Sequence, residues 1–212
     1  MSDECDYHQC VGLREQKAAR TRSVILETAL DLFSEVGFDQ TTMEQIAARA
    51  EVGIATLYRY FPTKDRILLD PVVRIHGTLA AVLAARPADE RIEEALGHAL
   101  SDYLAALDRD AAMVRRLRDL LDDAPGPRAR LWDVQATERA RLAEAIAART
   151  SASVDDLWVG IAAHTTMMVA EMSLDLSRSA TDPVRAADAA RDIIAVLATE
   201  EAVIPRLPRD GR

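Results

Sequence analysis

The sequence predicts an all-α protein, and three observations carry that prediction. Alanine, the strongest helix former, makes up roughly a sixth of the 212 residues. Glycine and proline stand at 8 each and aromatic residues at 4%, which leaves little of the material from which β-sandwiches are built. Between the breakers, apolar residues recur every three to four positions, the helical period, and no strand-like alternation stands out. With 49% hydrophobic and 29% charged residues the chain has an ordinary globular balance, long enough for a small domain joined to a larger one.

Residues 1–19 carry no apolar periodicity and mix Asp3, Glu4 and Asp6 with Arg14 and Lys17, so they are expected to form a flexible arm. Helix 1 follows: Ile25, Ala29, Leu32, Phe33 and Val36 make one stripe, ended by Gly37, the residue type suited to a left-handed C-terminal position. Thr41 with Glu44 and Thr42 with Gln45 offer two overlapping capping boxes for helix 2, which runs to about Ala50. Helix 3, Ile54 to Tyr60, is stopped by Pro62. Both are shorter than the ~12 residues at which an isolated helix becomes stable, so they need helix 1 as a platform.

Thr63 can cap a fourth helix, and Pro71 falls inside it. Asp70 before Pro71 is expected to recap a restarted helix and to bend the chain there. Beyond Pro87 the helical segments are 89–107, 110–121, 128–149 after a break at Pro125-Gly126-Pro127, 154–177 and 183–199. That makes about nine helices. The expected domains are the arm 1–19, a helix-turn-helix domain 20–66, a C-terminal domain 67–202 and a tail 203–212.

The N-terminus has neither the cationic lead nor the apolar stretch of a secretory signal. The longest uninterrupted apolar run, Leu79 to Ala85, is far short of the ~18 residues of a membrane span. A cytoplasmic protein without a membrane partner is expected. The formal charge of −9 argues against a protein that coats nucleic acid generally, while leaving room for a local basic face.

The three short helices between Arg20 and Phe61 hold five of the nine aromatic residues: Phe33, Phe38, Tyr58, Tyr60 and Phe61. A helix, a turn and a second helix ending in Thr56, Tyr58 and Arg59 have the dimensions to lay that second helix in a major groove. Tyr58 can donate to a phosphate, Thr56 can reach a phosphate or a thymine methyl, and Arg59 can bridge guanine O6 and N7 or a phosphate. The alternative is a structural three-helix domain in which Tyr58 and Tyr60 only pack. Residues 1–65 carry seven basic against eleven acidic side chains. Arg14, Lys17, Arg20, Arg22, Arg49, Arg59 and Lys64 are nevertheless expected around the motif, with Glu27, Asp31 and Glu35 pointing away.

The stretch from Gly37 to Ala50, GFDQTTMEQIAARA, followed from Val52 to Lys64 by VGIATLYRYFPTK, resembles the DNA-binding domain of the TetR family of bacterial transcriptional regulators. The resemblance covers about residues 20–69. It implies an all-α homodimer with an N-terminal helix-turn-helix domain and a divergent C-terminal domain that dimerises and binds a small-molecule effector. It also implies that Thr42 begins helix 2 at the DNA backbone, that Ile54, Ala55, Thr56, Tyr58 and Arg59 line the recognition helix, and that Lys64 sits at a phosphate. The turn carries Glu51 where the family usually has Gly, which calls for a positive φ at a non-glycine residue. Gly53 stands where a Ser commonly caps helix 3, and Gly is itself an acceptable cap.

Other candidates are weaker. Cys5, His8 and Cys10 offer three metal ligands where a structural zinc site wants four, and no metal or cofactor is expected. His76, His98 and His164 are far apart, and no GxSxG, Walker or dinucleotide fingerprint supports an enzyme. Tyr103, Met113, Trp132, His164 and Met167 are candidates to face an effector cavity, with ordinary core as the alternative. Trp158, Ile161, Thr165, Met168 and Met172 form one helical stripe, and Val184, Ala187, Arg191, Ile194 and Ala198 another. Such stripes suit a four-helix interface between two chains; intrachain core is the alternative. The expected function is a regulator, a repressor more often than an activator, that binds a palindromic double-stranded operator as a homodimer and is released by an effector. A helical ligand-binding or dimerisation protein without DNA binding is the other reading.

Overall fold

Nine α-helices and no strand form among the residues described by the computed structural model, 3–179 and 184–199, with side chains described from Glu15 except at 75–78 and 179. They are α1 (Asp3–Val36), α2 (Met43–Arg49), α3 (Ile54–Tyr60), α4 (Lys64–Ala84), α5 (Ile92–Arg109), α6 (Ala111–Asp122), α7 (Pro125–Thr150), α8 (Leu157–Ser179) and α9 (Ala186–Leu197). The chain divides into two compact units, Met1–Arg74 with Arg115–Val134, and Ile75–Val114 with Gln135–Arg212. The first is larger than the expected helix-turn-helix domain, because a stretch distant in sequence joins it: Arg116 donates to Asp31 at 2.8 Å and to Ser34 at 3.2 Å, and Arg130 pairs with Asp65. The expected tail, 203–212, lies outside the described residues.

In the first unit α1 buries Ile25, Ala29, Leu30, Leu32 and Phe33, while Val36 is exposed. Phe33 meets Phe38 in a tilted pair, ring centroids 5.0 Å apart. Met43 and Ile46 from α2, Leu57 from α3 and Ile67 and Leu68 from α4 are also buried. This is how two seven-residue helices persist despite the cost of nucleation. α1 reaches back to Asp3, into the residues expected as an arm. Residues 3–19 contain no proline and one glycine, and nine of the 17 are Ala, Leu, Glu, Gln, Lys or Arg, so helix is open to them even where no apolar stripe asks for packing. The side chains of Cys5, His8 and Cys10 lie outside the described ones. Among the described residues no three His, Cys, Asp or Glu side chains group as metal ligands.

Two other boundaries differ from expectation. α4 runs through Pro71 without restarting, and Asp70 is an interior helical residue whose carboxylate binds Arg22 in place of capping. Pro71 removes the N–H that would have served the Ile67 carbonyl, and its ring crowds that carbonyl. At Pro125-Gly126-Pro127 the chain begins α7 where a break was expected. Arg128 N–H donates to the Ala124 carbonyl at 3.0 Å, so both prolines fall in the first turn, where N–H groups have no helical partner anyway. Within Ile54–Ala84 one window is long and apolar enough to cross a membrane by composition, mean hydropathy 1.6; half of it is buried, as in a core helix.

The second unit is an apolar core of Leu79 and Leu83 from α4, Tyr103 and Leu104 from α5, Leu142 and Ile146 from α7, Val159, Met167 and Ala170 from α8, and Ile193 from α9. Its helix ends are fixed in two ways, locally at α8 and from a distant helix at α9. Asp156 accepts the Ser153 N–H at 3.1 Å and delays α8 to Leu157, three residues after its expected start. The α9 terminus takes its cap from another helix: Asp108 of α5 accepts the N–H groups of Ala186 at 2.9 Å and Ala187 at 3.3 Å, compensating orphan donors and the positive end of the helix dipole.

Candidate nucleic-acid interface

Helix α2 starts where the threonine chemistry says it should. Thr42 Oγ1 accepts the Gln45 N–H at 3.2 Å, and Gln45 Oε1 accepts the Thr42 N–H at 2.8 Å, a reciprocal capping box that leaves Thr42 exposed. The overlapping Thr41 box is not made: Thr41 is buried, and its hydroxyl donates to the Gly37 carbonyl at 2.8 Å. Gly37 takes φ +91°, as a left-handed C-terminal glycine should. The turn between α2 and α3 puts Glu51 at φ 54°, the positive angle its place in the motif calls for. Gly53 then caps α3, with no side-chain hydrogen bond.

Helix α3 has two distinct faces. Leu57 and the closing residue Phe61 are buried at 0% and 1% and hold the helix to the core. Ile54, Ala55, Tyr58 and Arg59, spaced at i, i+1, i+4 and i+5, are exposed together, with Thr56 half-buried at their edge. Tyr58 is 44% exposed, so its phenol is presented outward. The Arg59 guanidinium lies 5.4 Å from the centre of the Tyr60 ring, a cation–π contact that pre-orders a long side chain without neutralising it. One short helix therefore offers a phenol, a hydroxyl, a guanidinium and small apolar contacts on one side.

The basic residues around the motif separate into engaged and presented groups, which linear charge counting does not reveal. Arg49 makes a two-pronged pair with Glu35, one bond at 2.7 Å, tying α2 to α1. That hydrogen bond holds the Glu35 carboxyl below the ordinary carboxylate range. Glu35 and Asp31 thus point toward partners, Arg49 and Arg116, which corrects the expectation that they merely face away. Arg22 is bound to Asp70. Lys64 Nζ donates to the Phe38 carbonyl at 2.7 Å and the Asp39 carbonyl at 3.2 Å and lies 4.7 Å from the Phe38 ring centre, so it braces the turn between α1 and α2. Lys17, Arg20, Arg59 and Arg66 are exposed.

The five effector candidates are not brought together. Tyr103 and Met167 are buried in the core of the second unit, and Met113 is half-buried. His164 is exposed, its Nδ1 2.9 Å from the Gly160 carbonyl oxygen, and Trp132 is 67% exposed in the other unit. A buried carboxyl that the apolar pattern concealed is Glu138, 1% exposed, with Oε1 accepting the Ala80 N–H at 3.2 Å and Oε2 without a hydrogen-bond partner among the described residues. Burial pushes its carboxyl above the usual range. The stripe on α8 stands out in solvent: Trp158, Ile161, Met168 and Met172 are exposed, as is Ile194 on α9.

The motif and the fold both have counterparts. Residues 25–70 match the family model for bacterial regulatory proteins of the tetR family. The chain is 34% identical over 151 residues to the HTH-type transcriptional regulator TcmR of Streptomyces glaucescens, covering 68% of this chain and 67% of that protein. It is 42% identical over 59 residues to the HTH-type transcriptional repressor KstR of Rhodococcus jostii, covering 28% of this chain and 27% of that protein. In fold it is similar to the transcriptional regulator FadR from Bacillus subtilis, solved in complex with stearoyl-CoA, at TM-score 0.60 and 16% identity, over 85% of this chain and 99% of that one. The similarity to TcmR extends well past the helix-turn-helix, and the α1–α3 geometry beneath it presents one polar helix face; the chain belongs to the TetR family of bacterial transcriptional regulators.

Proposed function

We propose that this regulator is a repressor that binds a palindromic DNA operator as a homodimer in the cytoplasm and is released when a small molecule occupies its C-terminal unit. The observation that carries the DNA reading is the exposed face of α3, on which Ile54, Ala55, Tyr58 and Arg59 stand together while Leu57 anchors the opposite side. Tyr58 and Thr56 serve phosphates, Arg59 reads a guanine edge or a phosphate, and Ile54 and Ala55 supply apolar contact to bases. Thr42 lies at the backbone with its hydroxyl exposed. Lys64 has one ammonium N–H left after bracing the Phe38 and Asp39 carbonyls, and that donor is proposed for a phosphate.

Dimerisation through α8 and α9 is supported by the apolar stripe that a single chain leaves in water: Trp158, Ile161, Met168 and Met172 at helical spacing, with Ile194 on α9. A contiguous apolar face of this kind marks an association surface, and in a two-fold dimer it covers itself. Ligand-bound relatives of the same fold, such as the FadR complex with stearoyl-CoA, support an effector in the C-terminal unit. Tyr103, Met113 and Met167 are the residues of that unit proposed to meet it; Trp132 and His164 stay candidates without support from their placement. The family relation and the lack of any catalytic fingerprint favour a protein that is not an enzyme.

Capture of genomic fragments by the purified protein, followed by sequencing, tests the proposal. Recovery of duplexes sharing an inverted repeat supports it, and recovery without any shared sequence removes the operator reading.

A further inference from the structure

Asp70 is 6% exposed in the middle of α4, and Arg22 of α1 reaches it with the Nε–Nη2 edge of its guanidinium: Nε donates to Oδ2 at 3.3 Å and Nη2 donates to Oδ1. Arg74, one turn further along α4, lies 3.7 Å from the same carboxylate. The Arg22 guanidinium carbon lies over the Phe61 ring, 4.5 Å from its centre. Phe61 is the residue that closes α3, with its N–H on the Leu57 carbonyl at 2.8 Å and its side chain 1% exposed. A single planar cation therefore joins three helices. α1 carries it, α4 binds its edge, and the residue that closes α3 offers its ring to the cation.

A guanidinium binds a carboxylate through two fixed parallel N–H bonds and can contact a ring at the same time; an ammonium can donate and contact a ring, as Lys64 does, but it lacks the two-pronged fork that fixes the angle. We propose that Arg22 is a positioning residue for operator recognition. Held by Asp70, it fixes the C-terminal end of α3 against α1 and α4, and so sets the angle at which Tyr58 and Arg59 are presented; it makes no phosphate contact of its own. Sequence position alone groups Arg22 with Arg20 and Lys17 as part of a basic face. Its geometry separates it from them, because its charge is already committed to a buried carboxylate.

The inference rests on the reading that α3 meets DNA, and the test keeps the two apart. The full chain and its Arg22→Lys, Asp70→Asn and Arg22→Lys/Asp70→Asn variants are titrated against a duplex retained by the wild type from genomic fragments, and against a scrambled duplex, over a range of salt. Arg22→Lys keeps the charge and the ion pair and loses the fork. It is expected to weaken the retained duplex about tenfold, with scrambled binding and the salt slope unchanged. Asp70→Asn is expected to do the same, and the double variant to be little worse than the weaker single one, as members of one clasp should be. If Arg22 touches phosphate, Asp70→Asn frees it, tightens both duplexes and steepens the slope by about one per freed cation; that result overturns the proposal. Retained-duplex affinity unchanged in Arg22→Lys, with only the thermal midpoint lowered, also overturns it. Should Asp70→Asn not fold, Arg22→Lys decides alone between these outcomes. A wild type that retains no duplex defeats the operator reading itself, and the positioning role falls with it.

Discussion

The two units solve the same problem of joining short or amphipathic helices with different forces. In Met1–Arg74 with Arg115–Val134, arginine–carboxylate pairs bridge elements far apart in sequence: Arg22 to Asp70, Arg49 to Glu35 and Arg116 to Asp31. In the other unit packed Leu, Ala, Val and Met do most of the work, with Asp108 capping α9, Glu138 accepting the Ala80 N–H and an Arg86–Glu90–His98 cluster beside them. The surface each leaves over differs accordingly. The first exposes a polar, partly cationic helix face, which suits an anion. The second exposes Trp158, Ile161 and Met172, which suit another apolar surface. Directional pairs hold a recognition helix at a defined angle, whereas non-directional burial tolerates divergence of sequence.

The sharpest way to break this comparison is to charge the apolar face. Ile161→Asp with Ile194→Asp places carboxylates in the proposed interface at several kcal/mol each, and monomer or misfolded protein is expected by light scattering. A folded dimer would move the interface elsewhere. On the first unit, Tyr58→Ala and Arg59→Ala are each expected to cost ~1 to 3 kcal/mol of operator binding, Arg59→Ala also relaxing one base position. Both side chains are exposed, so the thermal midpoints should hardly change. Loss of midpoint in step with loss of binding would make them packing residues.

Two carboxyls of the second unit respond to pH in opposite senses. Arg86, donating at 2.7 and 2.9 Å, and His98 hold Glu90 down to about 2, so this group adds stability that is complete above its unfolded range near 4.5 and is lost as pH falls toward 2. Burial raises Glu138, so its contribution is favourable when protonated and is lost as pH rises through its elevated folded value. Glu90→Gln should therefore lower the thermal midpoint at pH 7 and leave it unaltered at pH 2. Glu138→Gln should raise it at pH 7, by about 2 to 4 °C for each kcal/mol relieved, with little change at low pH. A lower midpoint for Glu138→Gln at pH 7 would mean that the carboxylate is satisfied in the native state. The smallest expected effect is at the turn: Glu51→Gly removes the cost of a side chain at φ 54° and should stabilise by about 1 kcal/mol, seen in denaturant midpoints.

What was legible in the sequence was what neighbouring residues decide among themselves. The Thr42–Gln45 box, the left-handed Gly37 and the α3 limits follow from residues within a few positions of one another, whereas the positive φ of Glu51 was implied by the family resemblance. The apolar stripe of α8 was legible too, because 3.6-residue periodicity is local. The Arg22–Asp70 pair was not, since 48 positions separate the partners and Asp-Pro reads equally well as a helix start. Asp108, 78 residues from Ala186, carries no mark of a cap for α9. The effector candidates failed to converge for a similar reason: Met and aromatic residues on apolar helices signal burial, and burial alone does not say against what.

On this reading the face of α3 and the exposed cations around it, Lys17, Arg20, Arg59 and Arg66, doubled by dimerisation, meet and neutralise operator phosphates. Titrating the wild-type protein against a retained palindromic duplex over a range of salt measures it directly. Contact with about six to eight phosphates predicts a log–log slope of about −5 to −7, with the scrambled duplex much weaker throughout. A slope near zero, or equal affinity for the scrambled duplex, would contradict the account.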